Sequence, residues 1–135
     1  MADALPPLPV PGPDNLEFWE GCRRHELRIQ RCAKCGAPRF HPRPACPECG
    51  ALEHAWITCS GRATVYTWTV VHPPTLPAFA ALAPYAAGIV RLEEGVFMVG
   101  QIRGVAPDAI RAGMPVTVEF DDVADGIALP HWRAA

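Results

Sequence analysis

Cys32-Ala33-Lys34-Cys35-Gly36 and, ten residues on, Cys46-Pro47-Glu48-Cys49-Gly50 form the stretch that decides the fold. Each Cys-x2-Cys pair puts two thiolates on one tight turn. The glycine after it, Gly36 or Gly50, allows the positive φ that turns backbone amides toward sulfur. Four sulfurs complete a tetrahedron, so the pattern predicts one structural Zn2+ per chain held by Cys32, Cys35, Cys46 and Cys49. A catalytic zinc keeps a position open for water, and four thiolates leave none. The metal is therefore expected to build the fold and to do no chemistry. The interval between the pairs is shorter than the about 15–20 residues usual for such a doubled motif.

Disulfides are the rival use of six cysteines in a short chain. The start, MADALPPLPVPGP, has neither a basic n-region nor an uninterrupted apolar h-region, so the expectation is a reducing, cytoplasmic setting. Cys22 and Cys59 lie outside the pattern and read as small buried hydrophobes, with no His and acid constellation beside them to make a nucleophile.

At 135 residues and 14.6 kDa, the chain has room for one real core and a metal-stapled appendage. The formal charge is −2, unevenly spread. From Glu20 to Arg43 there are seven basic residues against two acidic, and from Ala55 onward five basic against seven acidic. Sixteen prolines and eleven glycines imply many turns and little helix. The longest apolar stretch, Leu76 to Val90, is interrupted by Pro77 and Pro84 and is too short to cross a membrane.

Three segments follow. Residues 1–13, with five prolines, read as an extended linker or arm that would also suit a junction to an upstream domain. Residues 14–54 read as an N-terminal helix and the zinc ribbon. Asp14 with Glu17 resembles a capping box, and Leu16, Trp19 and Cys22 or Arg23 share a face that must cover either the chain's own core or a partner. Leu27, Ile29 and Arg31 then alternate into Cys32 as a short strand.

Residues 55–135 read as a barrel. Ala55–Cys59 and Arg62–Val71 are β-branched and aromatic and look like one long strand curled at Gly61. Tyr85–Leu92 and Val96–Ile102 form a hairpin turned at Gly95, Pro107–Arg111 allows at most one helical turn, and Val116–Phe120 is a further strand. The expected architecture is mainly β: a short helix, a rubredoxin-like zinc ribbon, and a five-stranded Greek-key barrel of the OB type.

Phe18-Trp19-Glu20-Gly21, Leu27 to Cys32, Cys46 to Gly50, Gly61 to Pro73, Gly113 to Val116 and Leu129-Pro130-His131-Trp132 together resemble the domain-of-unknown-function-35 family. The likeness runs over about residues 15–133 in order and spacing. It implies an N-terminal helix, a zinc ribbon with Cys32, Cys35, Cys46 and Cys49 as ligands, and an OB fold. It also implies a place in acyl-CoA metabolism, as a partner of thiolase-superfamily enzymes, including lipid-transfer-protein-like thiolases and aldolases of steroid breakdown. Other members accompany MaoC-type enoyl-CoA hydratases. No catalytic residue is implied.

The leading expectation is a non-catalytic accessory subunit that completes a thiolase-like enzyme in a hetero-oligomer, with acyl-CoA as an indirect partner and direct contact with coenzyme A left open. Phe18 and Trp19 supply apolar surface for a partner. The long loop Pro73–Ala87 exceeds ordinary hairpin connections, and its Leu76, Phe79 and Leu82, with Tyr85, could line a channel, face a partner, or plug the barrel end. Binding of single-stranded nucleic acid is the second reading, because ribbons and OB folds both serve it, but an acidic barrel argues against phosphate tracking. Autonomous catalysis would choose His72 or His131, with Asp121 or Asp122 as the orienting acid.

Overall fold

The computed structural model describes residues 6–135, so the first five residues of the expected arm lie outside it. Helix α1 is Leu16–Arg23. A three-stranded antiparallel sheet follows, with β1 (Arg28–Cys32) between β2 (Pro38–Arg39) and β3 (His54–Thr58). The remaining strands are β4 (Arg62–Val71), β5 (Tyr85–Leu92), β6 (Phe97–Arg103), β7 (Pro115–Ala124) and β8 (Ile127–Ala134). They close a barrel in the order β4-β5-β6-β8-β7, the Greek-key order of an OB fold.

The barrel has its five strands, but their membership differs from the sequence reading. The stretch 54–58 is no part of a curled first barrel strand: it pairs along β1, with Gln30 opposite Trp56. Gly61, at φ +84°, separates two sheets where a bend in one strand was expected. The missing barrel strand is β8, which runs antiparallel to β7 with Phe120 opposite Pro130 and meets β6 in parallel at Ile102 and Trp132. Along β5 the burial alternates, so that Ala86, Val90 and Leu92 point into the core. Pro107–Ala109 is a single 3-10 turn, as anticipated.

Helix α1 corrects two expectations. Its N-cap is Asn15, and no side chain caps the first turn; the Asn15 Oδ1 instead accepts the Gly12 amide at 2.6 Å. Glu17, free of a capping role, ion-pairs with Arg24 and Arg28. The buried face is Phe18, Gly21 and Cys22, while Leu16 is 51% exposed. Phe18 meets Trp19 edge-on and Phe40 of the ribbon at 5.2 Å, so one side chain joins helix, ribbon and barrel core.

The helix ends in a paired-bond C-cap: the His25 amide bonds Cys22 O and the Glu26 amide bonds Gly21 O. His25 takes the left-handed position usually given to glycine, at φ +60°, which costs about 1–2 kcal/mol. Its ring stacks on Phe120 at 5.3 Å and bonds Asp122 at 2.9 Å, contacts that offset the strain and fasten the helix to β7. Among the described residues no helix is long and apolar enough to cross a membrane.

Candidate metal centre and cavity

The four predicted cysteines converge, with all sulfurs within 4.8 Å of one another. Cys32 and Cys49 lie 3.6 Å apart and Cys35 and Cys46 3.7 Å, close to the ~3.8 Å edge of a tetrahedron with Zn–S bonds of about 2.3 Å. Gly36 and Gly50 have φ near +78° and +79°, as the knuckle turns require. The Lys34 and Cys35 amides each donate to Cys32 Sγ at 3.4 Å. The Cys35 amide, ahead of that of Lys34, draws the Cys32 thiol down to about 6. The Cys49 and Glu48 amides likewise lower Cys46. Against the Ala37 amide, burial and the neighbouring sulfurs raise Cys35 to about 11. The four sulfurs together fit one Zn2+, which would cross-link the end of β1 to the chain entering β3 and would supply structure only.

Between the knuckles, buried Gln30 accepts from Arg39 Nε at 2.6 Å and from the Arg43 amide at 2.9 Å, bracing the interval. Cys22 and Cys59 behave as read from sequence: burial pushes each thiol up to about 12.

A cavity of about 1010 Å³ opens where helix, ribbon, long loop and barrel meet. Phe18 and Trp19 form one wall, Phe40 another, and Phe79, Leu82 and Tyr85 a third. Leu76 is not among its lining residues; it is exposed on the loop. Pro6 and Leu8 of the arm also line the space.

The remaining lining includes one polar cluster built from three strands. Arg103 Nη1 donates to Asp121 Oδ2 at 2.6 Å, and Arg103 Nε to Gln101 Oε1 at 3.0 Å. His131 Nε2 stands 3.1 Å from the same Asp121 oxygen. His131 is buried, on barrel strand β8. Burial first, and Arg103 second, hold it below the usual histidine range against the pull of Asp121 and Glu119. Asp122 belongs to His25, and His72 is exposed at the end of β4. Arg103 and Gln101 had escaped sequence reasoning. Their shared face was visible in the alternation of β6, but their partner strand β8 was not.

A zinc knuckle pair leading into an OB barrel, with an apolar cavity at the junction, defines a zinc-ribbon/OB-fold protein. The chain matches two family models: the ChsH2 rubredoxin-like zinc ribbon domain over residues 19–55 and the ChsH2 C-terminal OB-fold domain over residues 56–121. It belongs to the DUF35 family. A DUF35 domain-containing scaffold protein of Methanothermobacter thermautotrophicus is 36% identical over 116 residues, covering 83% of this chain and 85% of that one. The 3-oxo-4,17-pregnadiene-20-carboxyl-CoA hydratase alpha subunit of Mycobacterium tuberculosis is 39% identical over 112 residues, covering 83% of this chain. The chain spans 41% and 35% of the length of the hydratase subunits it matches. A solved structure titled Ltp2-ChsH2(DUF35) aldolase superposes with a TM-score of 0.86 at 36% identity, covering 93% of this chain and 98% of that chain.

Proposed function

We propose that this chain is a non-catalytic accessory subunit or domain that binds and enables a thiolase-superfamily enzyme of the lipid-transfer-protein-like thiolase or aldolase type, acting on acyl-CoA thioesters of steroid side-chain breakdown. The observation that carries the reading is the near full-length superposition, at 36% identity, on a chain of an Ltp2-ChsH2(DUF35) aldolase. The chemistry of the residues supports it. A metal held by four thiolates has no position for substrate, whereas the exposed Leu16 of the helix and the apolar cavity offer surface for a partner or its acyl group, buried Phe18 being taken up by the chain's own core.

The test is turnover. A purified enzyme of the lipid-transfer-protein-like thiolase or aldolase type should cleave a β-hydroxyacyl-CoA or 3-ketoacyl-CoA at least tenfold faster with this chain than without it; equal rates would remove the enabling role.

A second reading, as a domain partnering a MaoC-like enoyl-CoA hydratase, is favoured by the hydratase-subunit relatives, of which this chain spans 41% and 35%. The same purification offered both candidate partners separates the two by which one co-elutes. Binding of single-stranded nucleic acid finds no support in a barrel whose acids outnumber its bases.

A further inference from the structure

We infer that the cavity is itself a ligand site, for a large apolar ring system or chain ending in a neutral oxygen function, a ketone or a hydroxyl, that meets His131 and Arg103. This deepens the accessory role proposed above and rests on it for physiological meaning, but the binding it describes belongs to the isolated chain.

Size and lining come first. About 1010 Å³ matches the upper end of the about 300–1,000 Å³ typical of small-molecule sites. The aromatic and aliphatic walls come from four separate parts of the chain, so the space exists only in the assembled fold. Such a lining favours an apolar body.

The polar cluster then specifies the head. Arg103 is balanced by Asp121, and Arg133, which donates to Glu119 at 2.7 Å, is balanced in turn. A carboxylate entering this spot would add an uncompensated charge to partly desolvated surroundings, and an ammonium would do the same. A neutral oxygen adds none. Arg103 commits Nε to Gln101 and Nη1 to Asp121, leaving Nη2 to donate to a carbonyl. His131, with Nε2–H donating to Asp121, keeps Nδ1 as an acceptor for a hydroxyl. A residue with a donor to spare and one with an acceptor to spare thus both line an apolar chamber. His131 is only 9% exposed and lines the cavity.

Equilibrium dialysis of the zinc-loaded chain against androst-4-ene-3,17-dione, 1-dodecanol and dodecanoate tests the proposal. Saturable binding of one molecule of the dione or the alcohol per chain, at least tenfold tighter than dodecanoate, is expected. The two neutral probes distinguish a ring site from a chain site. His131→Phe should weaken the preferred neutral probe about tenfold. Val99→Trp alters a cavity-lining side chain that is 62% exposed, so folding should survive while every probe is displaced. The proposal is overturned if no probe saturates, if dodecanoate binds as tightly, or if Val99→Trp changes nothing. A chain that still forms its enzyme complex but binds no probe would remove this inference and leave the accessory role standing; loss of the complex with ligand binding intact would do the reverse.

Discussion

Gly100 makes room for Trp132: a β-carbon on Gly100 would lie 2.6 Å from the indole Cδ1 and 2.8 Å from Nε1. The contact sits at the parallel seam of the barrel, where β6 and β8 share only the pairs Ile102–Trp132 and Arg103–Arg133. Trp132 is fully buried there and fills the barrel's centre. Gly100→Ala should therefore lower stability by about 1–3 kcal/mol through overpacking. Urea unfolding checks it, and an unchanged midpoint would mean that the seam is more compliant than its geometry implies.

Metal content follows from the sulfur positions. Elemental analysis should find one zinc per chain, and Cys46→Ser should abolish it. Because structural zinc contributes on the order of 10 kcal/mol in small zinc domains, chelation should unfold residues from β1 to β3. Retention of the native near-ultraviolet circular dichroism after complete metal removal would contradict a structural role.

The helix offers a contrast within one element. Phe18→Ala empties a contact shared by helix, ribbon and barrel and should cost about 3–5 kcal/mol. Leu16→Ala, on the exposed side, should stay within about 0.5 kcal/mol. Thermal unfolding of the two variants decides which face carries the packing.

These residues also show how far the sequence could be read. The ribbon was legible because metal ligation is local: two Cys-x2-Cys-x-style turns with a glycine after each state their own geometry. Strands β4 to β6 were legible from alternation and from the Gly95 turn. Strand β8 was not, because Pro130 and His131 interrupt the pattern and only its pairing with Phe120 and Asp121 makes it a strand. Strand β3 has the same composition as a barrel strand, and nothing local says that its neighbour is β1. Helix α1 misled because Leu16 and Phe18 are equally apolar, and only the ribbon's Phe40 decides which turns inward. The four thiols could be placed from spacing alone; the cavity needed every layer in position.

Acid should weaken the fold through His131. Burial and Arg103 lower its folded pKa, with Asp121 and Glu119 opposing. Between that value and the unfolded value of about 6.5, the unfolded chain binds more protons, so stability is full above this window and falls as pH drops through it. Urea midpoints of wild type and His131→Gln, compared from pH 8 to pH 5, should show the wild type losing ground faster below about 6.5. Parallel curves would remove the contribution of this histidine.

On the proposed function, the chain works on a partner. Co-expression with an enzyme of the lipid-transfer-protein-like thiolase or aldolase type, followed by size-exclusion chromatography with light scattering, measures that directly. A stable hetero-oligomer of fixed stoichiometry is expected, weakened when Leu16, exposed on the helix, is changed to glutamate. Two folded proteins eluting separately at micromolar concentration would contradict it.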